Sequence, residues 1–302
     1  MNLGIKETTL TKVKNIKIPD LFNRRLKTGI KRIDSLFDEG ILPGSAFTLT
    51  APAGGGKTTL MLQILDGLVK NGYRVGYFSG EESIYQLAYT ANRVGATEVE
   101  IANETDIDKI ADQMKDLDLV IVDSFQALTS TTKMNSRQLE KHAVQHLTKI
   151  AKKTECVVGF VMHLTKSGDL KGGTIVPHTV DANLKIEIVP NADEGARAIF
   201  FEKNRFGPLN ELECIIQRNG YDFDAKVIKD DDEDAKKAPS KKARKKDDME
   251  MITKMSKITL PTVSKKLDDN VQRAQYLLRE LTIVGKLSKT GRGKTAIWKK
   301  VK

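Results

Sequence analysis

Ala51-Pro52-Ala53-Gly54-Gly55-Gly56-Lys57-Thr58 is the stretch that decides the fold of this chain. A strand-like run, Ala46–Thr50, precedes it, and an amphipathic helical pattern, Thr59–Val69, follows it. Strand, glycine-rich loop and helix in that order read as a phosphate-binding loop. Small residues let successive backbone N–H groups turn inward around a phosphate, helped by the positive end of the following helix. Lys57 can then reach the β- and γ-phosphates, and Thr58 offers a hydroxyl to Mg²⁺. Ala51, Pro52, Ala53, Gly54, Gly55, Gly56 and Thr59 complete the cradle, with Ala51 standing where glycine is commoner. A nucleotide and Mg²⁺ are the cofactors expected.

Outward from this loop, strand patterns alternate with helical ones. Strands are expected at Arg74–Phe78, Leu119–Val122, Val157–Met162, Asn183–Val189, Arg197–Glu202 and Glu211–Gln217. Helical periodicity falls near Leu60–Lys70, Ser83–Arg93, Ile107–Leu117 and Ser136–Lys153. The alternation predicts an α/β fold: a mostly parallel sheet covered on both faces, with an antiparallel meander where the last strands follow one another.

The net charge of +10 is unevenly placed. Residues 1–229 carry 30 Lys/Arg against 29 Asp/Glu, whereas residues 247–302 carry 13 against 6. Nucleic acid is the natural partner of such a basic tail. Between them, residues 230–246 run from five consecutive acids into AKKAPSKKARKK, and a flexible charged linker is expected. The expected domains are therefore a basic N-terminal arm (1–23), a nucleotide-binding domain (24–229), the linker (230–246) and a small basic module (247–302). Within that module, helices at Asp247–Met255, Leu260–Leu267 and about Asn270–Val284 precede a hairpin of Lys286–Ser288 with Ala296–Trp298. The pattern fits a winged helix-turn-helix, or some other small helical module; a winged helix there would contact nucleic acid or dock protein. The turn Thr290-Gly291-Arg292-Gly293-Lys294 would offer cations to phosphate.

No run approaches the ~20 apolar residues of a membrane span. The N-terminus lacks the apolar core of a signal peptide. Cys156 and Cys214 each sit in an apolar, strand-like run and read as buried free thiols. A cytoplasmic location without membrane contact is expected.

Four further strand ends carry chemistry. Leu119-Val120-Ile121-Val122-Asp123 is an apolar strand ending in a carboxylate about 65 residues after Thr58. A parallel strand next to the phosphate loop would bring Asp123 to the Mg²⁺ shell. Val75–Phe78 runs into Ser79-Gly80-Glu81-Glu82, and Glu81 is favoured over Glu82 as the catalytic carboxylate that activates water. Both could instead be first-turn residues stabilised by the dipole of the helix beginning at Ser83. Phe160-Val161-Met162-His163 ends in a histidine suited to sensing the γ-phosphate, or to a purely structural role. His142 and His146, four apart, read as one helix face. Lys203 and Arg205, at a strand exit, could reach a neighbour's γ-phosphate in a ring or filament.

Taken together, Thr28-Gly29-Ile30-Lys31-Arg32-Ile33-Asp34, Gly40-Ile41-Leu42-Pro43-Gly44-Ser45, the phosphate loop, YFSGEES, LVIVDSFQAL, AKKTECVVGFVMHLTKSG and Lys203-Asn204-Arg205-Phe206-Gly207 resemble the ATPase core of the bacterial RadA (Sms) family of the RecA/DnaB superfamily. The resemblance covers roughly residues 24–224, and KNRFG is its most specific motif. It implies a RecA-type fold, hexameric rings, and hydrolysis of ATP with Mg²⁺ at subunit interfaces. It also implies single-stranded or branched DNA as partner, with branch migration or helicase activity. On it, Lys57 and Thr58 bind nucleotide and metal, Asp123 is the second metal residue and Glu81 the base. Lys203 and Arg205 become fingers in trans, and Thr165–Gly173, with Lys166 and Lys171, becomes a DNA-facing loop. Against the family pattern, a four-cysteine zinc module is not found here. A linker and basic module stand where RadA has a Lon-protease-like domain.

The expected function is an ATP-dependent DNA motor acting in recombination, repair or replication, with other such proteins as further partners. Two alternatives stand beside it. One is an ATP-sensing regulator or helicase loader with a KaiC-like core. The other is a filament-forming, DNA-pairing recombinase.

Overall fold

The computed structural model describes residues 10–18, 20–163, 175–229, 241–255, 258–267, 274, 277–278, 281–282, 284–290 and 296–300. The segment Thr165–Gly173 expected to face DNA, most of the expected linker, most of the expected third helix of the basic module and residues 291–295 lie outside them. The chain divides into two compact units, Met1–Val227 and Ile228–Lys302.

The first unit is built on one nine-stranded sheet in the order β3-β2-β4-β5-β1-β6-β7-β8-β9. Its strands are β1 (Ala46–Ala51), β2 (Val75–Ser79), β3 (Glu100–Ala102), β4 (Leu119–Asp123), β5 (Val157–His163), β6 (Ala182–Ile188), β7 (Ala196–Asn204), β8 (Glu211–Gln217) and β9 (Gly220–Asp222). Strands β1 to β6 pair in parallel, and β6 to β9 form an antiparallel meander. Helices α1 (Lys31–Leu36), α2 (Lys57–Lys70), α3 (Ile84–Val94), α4 (Ile107–Gln113), α5 (Ser136–Thr154) and α6 (Ile175–Thr179) complete the unit.

The alternation of β4 shows why the sheet needs cover on both faces. Leu119 and Ile121 join a core with Leu60, Ile64, Leu65 and Leu68 of α2, whereas Val120 and Val122 join another with Ile107, Val144 and Leu147. Successive side chains point to opposite faces, so a strand apolar throughout must be buried twice. Cys156 and Cys214 are buried free thiols, and burial pushes each up to about 12.

One expectation needs correction. The strand bearing Asp123 is not the neighbour of the strand that feeds the phosphate loop, because β5 lies between β4 and β1. With strands about 4.8 Å apart, the gap between β1 and β4 is roughly 10 Å. The loop and the N-terminus of α2 bridge it.

In the second unit, α7 (Lys241–Lys254) and α8 (Leu260–Lys266) accompany a small antiparallel sheet, β10-β12-β11, of Ile258–Thr259, Ile297–Lys300 and Leu287–Thr290. Ile252, Ile258, Val263, Ala274, Leu277, Leu278, Leu281 and Leu287 form its core. Helix α7 starts inside the stretch read as linker, because Lys, Ala and Arg are strong helix formers once Pro239 is passed. A capping box between Thr259 and Thr262, with Pro261 in the first turn, sets the start of α8. No described helix is long and apolar enough to cross a membrane.

Candidate active site

The carboxyl ends of β1, β5, β4 and β2 meet at one edge of the sheet. Register pairs Ala51 with His163, Asp123 with Val161 and Asp123 with Ser79. The phosphate loop leaves β1 there and enters α2 through Gly56, whose φ of +97° only glycine adopts readily. Arg197 and Tyr221 brace the outer side of the loop. The Tyr221 hydroxyl donates to Gly55 O at 2.9 Å, and Arg197 Nε donates to the same oxygen at 3.3 Å. Gln63 of α2 exchanges hydrogen bonds with the Tyr221 backbone, which ties β9 to the helix. Arg93 of α3 donates to Thr59 Oγ1 at 3.2 Å, joining a third element to the first turn of α2.

Thr58 Oγ1 lies 3.4 Å from Asp123 Oδ2 and 3.5 Å from Glu82 Oε1. These hard oxygen donors at a helix N-terminus suit Mg²⁺, which takes one or two carboxylates and fills its remaining positions with phosphate and water. The residues therefore fit the ion, and Thr58 and Asp123 are the ones that could hold it. The Tyr77 hydroxyl donates to the same Asp123 oxygen from the buried side. Burial raises the pKa of Asp123, against the hydrogen bond from Tyr77, and burial also raises that of Glu82. Burial holds the Lys57 ammonium below its usual value, with Asp123 and Glu81 opposing the shift.

Glu81 and Glu82 precede α3 rather than forming its first turn, since Ser83 is the N-cap and closes a capping box with Gln86. Helix-dipole stabilisation of first-turn acids is thus not their role. Glu81 Oε1 accepts from Ser124 Oγ at 2.5 Å. Its Oε2 lies 2.9 Å from His163 Nε2, close enough for an ion pair with a protonated imidazole but outside hydrogen-bond alignment. Glu81, Asp123, His163, Lys57 and Thr58 thus share one edge.

Lys203 and Arg205 do not. Asn204 pairs with Ala182, which pairs with Phe47, so the two cations sit at the amino end of β1. The six residues of β1 separate them from the loop by roughly 15–20 Å. There Lys203 Nζ donates to the carbonyls of Pro177 and Val180 at 2.8 and 2.5 Å. Arg205 pairs with the buried Asp181 at 3.3 Å. His142 and His146 stack on α5, and His146 Nε2 lies 3.7 Å from Asp108. Among the described residues no three His, Cys, Asp or Glu gather in a way that could hold a metal ion.

Tyr77, Arg93, Ser124, Arg197 and Tyr221 were missed by sequence reasoning. Each acts through a partner far away in sequence, and no motif spacing records such pairs.

A glycine-rich loop on a mainly parallel sheet, facing the acidic ends of β4 and β2 across β5, defines a P-loop ATPase of the RecA type. More particularly, the chain belongs to the family described as AAA domain, whose model matches residues 12–169, and within it is RadA-like. It is 35% identical over 196 residues to the DNA repair protein RadA of Haemophilus influenzae, covering 62% of this chain and 42% of the relative. It is 32% identical over 212 residues to that of Escherichia coli, covering 67% and 44%. The chain thus spans less than half the length of these curated relatives. Among solved structures, the ATPase domain of G40P aligns with a TM-score of 0.56 at 13% identity, over 66% of this chain and 90% of that one. The RadB recombinase aligns with a TM-score of 0.50 at 23% identity, over 65% and 98%.

Proposed function

We propose that this protein hydrolyses ATP with Mg²⁺ at sites completed by a neighbouring subunit, and uses the cycle to act on single-stranded or branched DNA in repair or recombination. One observation carries the shared site. Lys57, Thr58, Asp123 and Glu81 gather at one edge of the sheet, whereas Lys203 and Arg205 stand at the other, too far away to serve the same nucleotide. In this reading Lys57 neutralises the β- and γ-phosphates, and Thr58 and Asp123 hold Mg²⁺, which supplies charge neutralisation at the phosphates when bound. Glu81 orients and deprotonates the attacking water, and His163 reports the presence of the γ-phosphate to the loop that follows β5. The cations of the next subunit stabilise charge in the transition state. A closed hexameric ring, the assembly that the RadA resemblance implies, would bring one chain's cations to the next chain's phosphate loop. The DNA-repair role rests on the RadA relatives, and the basic second unit adds a DNA-binding surface. Unwinding, translocation and branch migration are all compatible outputs.

Mixing two inactive variants tests the shared site. Lys57→Ala and Arg205→Ala should each turn over ATP at least about 100-fold more slowly than wild type, and Arg205→Ala should still bind nucleotide. Mixed in equal amounts, they should regain a measurable fraction of wild-type turnover. Interfaces pairing an intact phosphate loop with an intact finger form only in the mixture. Undiminished turnover by Arg205→Ala, or no recovery on mixing despite co-assembly, would refute the reading.

A further inference from the structure

We infer that Ser124 is a positioning residue for hydrolysis: its buried hydroxyl fixes the Glu81 carboxylate in the orientation needed to activate water. This rests on the reading of Glu81 as the base. The carboxylate stands outside any helix and its side chain is 45% exposed; His163 Nε2 lies 2.9 Å from its Oε2 but outside hydrogen-bond alignment, so without a hydrogen bond to Oε1 it would be spread over several rotamers. General-base catalysis needs a single orientation, held within a fraction of an ångström.

The structure supplies a rigid partner. Ser124 follows directly on β4 and is 1% exposed. Its carbonyl accepts from Ala127 N at 3.0 Å, and Gly80 N donates to the preceding carbonyl, that of Asp123, at 2.6 Å. Phe125, next in the chain, packs edge-on against Phe160 of β5. From this platform Ser124 Oγ donates to Glu81 Oε1 at 2.5 Å. A hydrogen bond to a carboxylate is among the stronger kinds.

A second observation shows that the approach is built in. Gly80 brings the exit of β2 so close to the turn after β4 that a Cβ there would come within 2.5 Å of Ala127 Cβ. Each carboxylate oxygen has two acceptor positions, so Oε1 keeps one free for water while Ser124 occupies the other. Ser124 acts through Glu81 and needs no contact with the nucleotide.

Steady-state ATP hydrolysis and binding of a fluorescent ATP analogue, measured on the full chain, test this. Ser124→Ala should bind the analogue within about twofold of wild type while kcat falls about 10- to 100-fold, a part of the 10²–10⁴ that a positioned base supplies. Ser124→Cys keeps a weaker donor of similar volume and should fall between the two. A Ser124→Ala kcat within about twofold of wild type overturns the assignment. Proportional loss of binding and turnover in both variants also overturns it, because that is the mark of a merely structural residue. If Ser124→Ala fails to fold, Ser124→Cys decides alone: binding kept with slowed turnover supports the role, and wild-type turnover refutes it. Glu81→Gln separates the two readings. Wild-type turnover in Glu81→Gln removes the base itself, whereas a stalled Glu81→Gln beside an active Ser124→Ala removes only the role of Ser124.

Discussion

Asp123 shows at the scale of one residue how an active site costs stability. Burial raises its pKa, and the neighbouring Glu82 is raised as well. The folded chain without nucleotide therefore holds these protons more tightly than the unfolded chain, whose carboxyls titrate near 3.8 and 4.5. The stability from this source is complete below those values and is lost as pH rises through the raised ones. Asp123→Asn keeps the shape and removes the charge. Its nucleotide-free melting temperature should exceed that of wild type by several degrees at pH 7, and the gap should close as the pH falls to about 4. Thermal melts at the two pH values check this, and a variant less stable than wild type at pH 7 would contradict it. The gathering of Lys57, Thr58, Asp123 and Glu81 at one edge was legible in the sequence, because each stands at or just past the end of an apolar strand. Tyr77 was not, because VGYFS reads as an apolar strand. Only the register of β2 against β4 turns its hydroxyl toward Asp123.

Among the elements, strands of five residues or more were legible from their β-branched and apolar runs. The three-residue β3 and β9 and the two-residue β10 are too short to leave a pattern. The insertion of β5 between β1 and β4 was hidden for another reason: strand order depends on which way each crossover runs, and local periodicity does not record it. β9 matters despite its size, since its Tyr221 supports the phosphate loop from outside. A Cβ on Gly56 would run into the Tyr221 hydroxyl and meet Ile216 Cδ1 at 2.6 Å, on a backbone at φ +97°. Gly56→Ala should therefore cost about 2–4 kcal/mol, from left-handed strain together with overpacking. It should also weaken ATP binding at least about tenfold. Urea denaturation and nucleotide titration measure both effects, and a variant within about 0.5 kcal/mol of wild type would show that the loop gives way without resistance.

For the whole molecule, the proposed shared site would give a single chain half of each of two sites, one at each edge of its sheet. The phosphate edge offers Lys57, Thr58, Asp123 and Glu81, and the opposite edge offers Lys203 and Arg205. These cations are engaged within their own chain, by the carbonyls of residues 177–180 and by Asp181, so reaching a neighbour's nucleotide requires exchanging those partners. Assembly, hydrolysis and DNA should accordingly be coupled. The most direct measurement is steady-state ATP hydrolysis over a range of protein concentrations, without DNA, with single-stranded DNA and with duplex. A rate per subunit that rises cooperatively with protein concentration, and at least about tenfold further with single strands, is the result expected of sites shared between DNA-bound neighbours. A rate per subunit independent of concentration and indifferent to single strands would contradict it, and would leave an ATP-sensing regulator as the better description.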